Sequence, residues 1–166
     1  MNRFVLPLVA ALSLSACVTA PPIGLPDAPE QSTSGTDEAG ASATTVYDEP
    51  AKQRLLNADG ITLQWIGWDQ RGEVFVREEG GQVLLTGSQG DPSSDARLYV
   101  DGKVTEIGAE YFVLDGKIRI ENAPDAGRMC EMDKVWQFAV TQDRPYWRLR
   151  EFEWCDDLTD YVDVYF

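Results

Sequence analysis

The amino-acid sequence predicts an all-β protein, a small antiparallel β-barrel or sandwich of about 8–10 short strands with a short N-terminal helix. From residue 61 onward, apolar and polar residues alternate with a period of two. Turn signals containing glycine separate the alternating segments at the spacing typical of hairpins. Residues 47–166 are long enough for one compact domain. We favour a barrel because closure removes exposed strand edges.

Residues 1–16 have the pattern of a signal peptide. The cationic Arg3 precedes an apolar run of about eleven residues, Phe4 to Leu14, which is too short for a hydrocarbon core of roughly 30 Å. The segment Leu14-Ser15-Ala16-Cys17 resembles the lipobox of bacterial lipoproteins. The resemblance implies cleavage before Cys17 and attachment of lipid to it. Val18 is, by the same resemblance, compatible with sorting to the outer membrane.

Residues 17–46 join this cysteine to the predicted domain. They contain prolines and many small polar residues, few bulky apolar side chains and neither lysine nor arginine. Such a composition cannot bury enough apolar surface to offset the entropy of ordering, so we expect a disordered linker. Several acyl chains would hold the domain at a membrane. The expected location is the bacterial envelope, at the outer membrane and facing the periplasm.

The first elements of the domain are a helix and a hairpin. Asp48 is a favourable N-cap, and Pro50 suits the first turn of a helix that continues through Ala51–Leu56, so a short capped helix is predicted here. The period changes to two at Ile61–Trp65. Two further strands, Glu73–Arg77 and Gln82–Thr86, are predicted to pair through a connection that contains two glycines.

Asp-Gly pairs predict two more hairpins. A type I′ turn requires positive φ at both central residues, and Asp-Gly satisfies this requirement well. Asp101-Gly102 separates Arg97–Val100 from Lys103–Ile107. Asp115-Gly116 separates Tyr111–Leu114 from Lys117–Ile120.

Residues 135–166 predict three further strands. Val135–Thr141 alternates regularly. In Tyr146–Trp154 the large apolar residues change parity midway, so we expect a bulge or bend near Arg150-Glu151. Tyr161–Phe166 alternates again.

Two cysteines remain once Cys17 carries lipid. Cys130 and Cys155 form an even pair in an oxidising compartment, and we interpret them as a structural disulfide. The chain-entropy estimate for this bridge is roughly 3.5 kcal/mol. The alternative is a redox or metal pair, which neither a CxxC spacing nor a histidine supports.

The composition excludes several function classes. The chain has 14 Lys and Arg against 28 Asp and Glu, a formal charge of −14, and its basic residues are not clustered. We therefore expect no nucleic-acid binding. The chain contains no histidine, which removes Ser-His-Asp and Cys-His catalysis and most catalytic zinc sites. We predict a non-catalytic protein without a cofactor.

Two groups of residues are candidate sites. Asp156, Asp157 and Asp160 offer the oxygens that calcium prefers, but their spacing fits no EF-hand, so a solvated acidic turn is the default interpretation and no metal is predicted. The second group is an aromatic and basic ligand surface for a glycan or peptide. Its members are Trp68, Arg144, Tyr146 and Arg148. The alternative is that all five tryptophans pack inside the barrel.

These observations favour a non-catalytic envelope lipoprotein with an acidic binding domain. Its partners would be the membrane, through the lipid, and an envelope protein, a glycan or a small apolar ligand. Architecture and acidity are similar to the lipoprotein inhibitors of c-type lysozyme, although no cysteine lies between residues 17 and 130. That resemblance implies a periplasmic inhibitor of a basic enzyme. A lipocalin-like carrier is the third alternative, and it requires a cavity inside the barrel.

Overall fold

The computed structural model describes residues 42–166. The predicted signal peptide, Cys17 and most of the predicted linker lie outside the described residues. The elements, in chain order, are β1 (Thr45–Val46), α1 (Glu49–Leu56), β2 (Gly60–Leu63), β3 (Glu73–Glu79), β4 (Gln82–Gly90), β5 (Arg97–Gly108), β6 (Tyr111–Glu121), β7 (Met129–Ala139), β8 (Tyr146–Leu149) and β9 (Val162–Tyr165). Within the described part, no helix has the length and apolar character to cross a membrane.

Eight antiparallel strands form a nearly closed barrel. Their order is β2-β9-β8-β7-β6-β5-β4-β3. Ile61 in β2 and Gly72, just before β3, exchange two backbone hydrogen bonds with N···O distances of 3.2 and 2.8 Å. This contact brings the two ends of the sheet together and confirms the predicted antiparallel barrel.

The folded region begins before Tyr47, where the domain was predicted to start. β1 pairs in parallel with β5, and Thr45 lies opposite Glu106. Upstream of it, Thr44 donates its backbone N–H to the Gly81 carbonyl over 3.0 Å. These backbone contacts cannot be read from the composition of residues 17–46, which contains no alternating pattern.

The short helix has the predicted start. The Asp48 carboxylate accepts a hydrogen bond from the Ala51 backbone N–H at 2.7 Å, which satisfies one of the free donors of the first turn. Ala51 and Leu55 are fully buried in the core. The helix therefore packs its apolar side onto the barrel.

The hairpin between β3 and β4 is also confirmed. Glu79 pairs with Gln82, which leaves Gly80 and Gly81 as a two-residue loop. Both glycines have positive φ, 57° and 82°, as a type I′ turn requires.

The two Asp-Gly hairpin predictions are wrong. β5 and β6 each run through their Asp-Gly pair without interruption, and Gly102 lies directly opposite Gly116. A Cβ on Gly102 would approach the Asp115 carbonyl oxygen to 2.5 Å, and one on Gly116 would clash with the Asp101 carbonyl oxygen. Glycine is therefore needed for close approach of the two strands and not for a turn.

Large side chains fill the barrel interior. Phe112 stacks on Phe138 with ring centroids 4.7 Å apart, and Trp147 meets the Phe112 ring edge-on at 5.6 Å. These three residues and Trp136 are among the largest fully buried side chains. The inward positions of β6, β7 and β8 thus meet in the middle of the barrel.

The chain bends at the end of β8, as predicted. Beyond Leu149, the Arg150 backbone N–H donates to the Gln137 carbonyl of β7 at 2.8 Å. Trp154 then meets the Trp136 ring at 5.3 Å. The following residue, Cys155, forms a disulfide with Cys130 in β7, which confirms the predicted bridge. The disulfide therefore holds the segment after β8 against β7.

Candidate ligand-binding face

The four residues of the predicted ligand surface lie together on the outside of the barrel, and Arg148 is at their centre. β8 directs Trp147 and Leu149 inward, which leaves Tyr146 and Arg148 on the outer side of the strand. The Arg148 guanidinium lies 5.3 Å from the Trp68 ring centroid and 5.2 Å from that of Tyr146. Arg144 donates to the Tyr146 hydroxyl at 2.8 Å. We call these four residues the arginine–aromatic face.

A buried ion pair holds Arg148 in place. Its Nε and Nη2 donate to Oδ1 and Oδ2 of Asp163, both over 2.7 Å. Asp163 lies opposite Arg148 on β9 and is fully buried. Burial raises the pKa of Asp163, and the hydrogen bonds from Arg148 act in the opposite direction. A bidentate ion pair of this kind fixes the plane of the guanidinium group as well as its position.

Aromatic rings surround the same guanidinium. Tyr161 is the nearest, with its ring centroid 4.1 Å from the Arg148 carbon Cζ. The Trp68 ring contacts Arg148, and because Trp68 is 42% exposed the ring also remains accessible to solvent. Trp65 is also exposed, whereas Trp136 and Trp147 are buried. The five tryptophans are therefore divided between the core and the surface.

Gln89 positions the loop that carries Trp68. This loop connects β2 to β3, and Gly67 within it has a φ of 138°. Gln89 is buried in β4, and its amide nitrogen donates to the carbonyls of Gly67 and Gln70 at 2.9 and 2.7 Å. Its amide oxygen accepts from the Leu63 backbone N–H. One buried side chain thus satisfies two carbonyls of the connection and the N–H of the last residue of β2.

A groove adjoins the arginine–aromatic face. It has a volume of about 430 Å³. It is lined by Thr141, Gln142, Arg144, Arg148, Arg150, Phe152 and Tyr161. Gln142 and Asp143, in the β7–β8 connection, have positive φ values of 57° and 53°. We call this feature the arginine groove.

Two of the three carboxylates considered for calcium contact an arginine. Arg128 donates to both oxygens of Asp160 at 3.0 and 2.9 Å and to both oxygens of Asp156 at 2.9 and 2.8 Å. Asp160 is fully buried and also accepts from the Trp65 indole N–H at 3.0 Å, whereas Asp157 is exposed. The acidic turn is therefore only partly exposed to solvent, because Asp160 is buried and paired with Arg128.

The serine-containing loop after β4 shows ordinary turn geometry. Ser93 and Ser94 donate their hydroxyls to the Asp91 carboxylate at 2.7 and 2.9 Å. These hydrogen bonds, those of Ser93 above all, hold the pKa of Asp91 below its usual value. A carboxylate stabilised in this way is a poor base for activating either hydroxyl.

Sequence reasoning did not assign to the face three residues that organise it. These are Gln89, Tyr161 and Asp163. No local pattern marks any of the three. Asp163 alternates with Val162 and Val164, which is the usual pattern of a solvent-facing strand residue, so its burial could not be read from the sequence.

The matches to known proteins include the residues that form the barrel. The model of the PM1083 family matches residues 43–166. A protein of Pasteurella multocida (strain Pm70), "Uncharacterized protein PM1083", is 27% identical over 117 residues, which are 69% of this chain and 75% of that protein. No solved structure matches the chain significantly. The similarity therefore includes the residues of the arginine–aromatic face and leaves the N-terminal segment outside the family match.

Proposed function

The chain belongs to the PM1083 family, and we propose that it is a lipid-anchored envelope protein whose barrel binds a ligand and performs no catalysis. The arginine–aromatic face is the proposed binding surface, and a glycan or peptide is its proposed ligand. One observation carries this proposal: Trp68 is 42% exposed beside a guanidinium held by a fully buried carboxylate. Flat apolar contact from a ring combined with directed N–H donors suits such ligands.

The anchoring part of the proposal rests on the lipobox-like segment. Cys17→Ser is expected to release the protein from the membrane fraction, as a soluble form or as an uncleaved precursor, because the thioether to lipid cannot form. Cell fractionation followed by mass spectrometry of the N-terminus measures this result. The matched control is Cys130→Ala with Cys155→Ala, which removes two cysteines and should leave the protein at the membrane. Unchanged anchoring of Cys17→Ser would contradict the lipoprotein proposal.

The binding part of the proposal is tested with Trp68→Ala. We expect roughly two- to tenfold weaker cosedimentation of the full chain with purified peptidoglycan sacculi, which present both glycan and peptide, because one aromatic contact is lost. Phe75→Ala is the matched control, since Phe75 is 63% exposed on β3 and lines a separate depression that contains none of the four residues of the face. The proposal fails if sacculi retain neither form, or if both substitutions weaken binding equally.

Two observations bear on the alternatives. The filled interior, in which Phe112 contacts both Phe138 and Trp147, argues against a carrier with an internal cavity. The acidic excess, 28 acidic against 14 basic residues, favours an inhibitor of a basic enzyme as the second candidate, since opposite charge accelerates encounter. Retention on immobilised c-type lysozyme at low salt would favour the inhibitor over a binder of glycan or peptide.

A further inference from the structure

The arginine groove has a charge opposite to that of the chain. Three of its lining residues are arginines, Arg144, Arg148 and Arg150, and none of its lining residues is acidic. The whole chain carries twice as many acidic as basic residues. The groove lining is therefore locally positive, whereas the chain as a whole is negative. The overall composition does not explain why three arginines lie together here.

Two of these arginines make no salt bridge among residues 42–166. The Arg144 guanidinium donates only to the Tyr146 hydroxyl, and Arg150 has no side-chain hydrogen bond within the described part. Arg77 and Arg119, which are also at the surface, pair with Glu79 and with Glu121. The Arg144 and Arg150 guanidinium groups therefore have no carboxylate partner among the described residues, and this leaves two charges available to a ligand.

The third arginine is already oriented. Asp163 holds Nε and Nη2 of Arg148, whereas Nη1 has no hydrogen-bond partner among the described residues. Arg148 also lines the groove, with a side chain that is 12% exposed. A donor that is held in place before a ligand arrives loses little conformational entropy on binding.

The remaining lining suits a small organic ligand. Phe152 and Tyr161 meet edge to face with ring centroids 5.0 Å apart, and both line the groove. Thr141 and Gln142 add polar side chains to the same lining. A volume of about 430 Å³ lies within the range of small-molecule sites.

We infer that the arginine groove binds an anionic group, a carboxylate or a phosphate, carried on a sugar-sized ligand. Guanidinium forks match the oxygen pairs of both groups. The aromatic rings would contact the apolar faces of the ligand. This inference rests on the proposed function, since it specifies the ligand chemistry of the same side of the barrel.

Calorimetric titration of the full chain tests the inference. The probes are glucuronate, glucose 6-phosphate and neutral glucose, all at one ionic strength. We expect saturable binding of at least one of the two anions and much weaker binding of glucose. Preference for glucuronate identifies carboxylate as the natural source of charge, and preference for glucose 6-phosphate identifies phosphate.

Matched variants assign the binding to the groove. Arg144→Gln with Arg150→Gln is expected to weaken anion binding by about tenfold or more, because two charge-assisted contacts are lost. Arg77→Gln with Arg119→Gln changes the net charge equally and should alter affinity less than about twofold. Equal loss in both double variants, binding of glucose as strong as that of the anions, or no saturable anion binding would overturn the inference. Retention on sacculi that still depends on Trp68 would show that the anion site fails while the proposed binding function stands.

Discussion

Arg148→Met is expected to lower the free energy of unfolding by about 3–5 kcal/mol, because it leaves a buried carboxylate without its counter-ion. Asp163 is fully buried, and both of its oxygens accept hydrogen bonds from Arg148. Methionine retains much of the apolar length of the arginine side chain but has no donor. Urea denaturation at pH 7, compared with that of the unsubstituted chain, measures the loss.

The same variant has a characteristic pH dependence. In the native state burial raises the pKa of Asp163, and removal of Arg148 removes the hydrogen bonds and charge that oppose this shift. Between the pKa of the unfolded chain, about 3.9, and the raised native value, the native state binds more protons than the unfolded state. The stability of Arg148→Met should therefore rise as pH falls through this window, and the difference from the unsubstituted chain should be smaller at pH 4 than at pH 7.

A second substitution provides the control for the ion pair. Arg148→Met combined with Asp163→Leu removes both charges and should recover part of the loss, because no unpaired buried charge remains. An equal loss at pH 4 and pH 7, together with no recovery in the double variant, would mean that packing dominates and not the charge of Asp163.

Removing the disulfide is the second large effect. Cys130→Ala with Cys155→Ala is expected to cost about 3.5 kcal/mol, because the bridge closes a loop with a sequence separation of 25 and restricts the unfolded chain. Alanine is the suitable replacement since Cys130 is 2% exposed and a buried hydroxyl would add its own cost. Thermal and urea unfolding measure the change in stability.

The structure indicates where the chain should loosen first. The Arg150 N–H to Gln137 carbonyl contact and the packing of Trp154 on Trp136 both belong to the segment that the bridge holds against β7. Hydrogen exchange at the Arg150 amide should accelerate in the variant more than exchange within the β5–β6 hairpin. Reduction of the unsubstituted chain should reproduce the loss. A reduced chain as stable as the oxidised one would show that the bridge contributes little.

Local patterns predicted a large part of this fold. The N-cap at Asp48, the Gly80-Gly81 turn and the bend near Arg150 each depend on residues close in sequence, and the structure agrees with all three. The Asp-Gly prediction is wrong because the same dipeptide suits both a tight turn and a position where two paired strands approach each other closely. Only the pairing of Gly102 with Gly116 distinguishes the two uses.

The arginine–aromatic face required information that no local pattern contains. Composition and alternation predict an antiparallel barrel or sandwich and candidate arginine and aromatic surface residues, because burial and strand period act over a few neighbouring positions. They do not specify that Arg148 meets Asp163, that Gln89 supports the Trp68 loop, or that Arg144 and Arg150 line one groove. These contacts depend on strand register and on the closing of β2 toward β3. They therefore arise only when segments distant in sequence pack together.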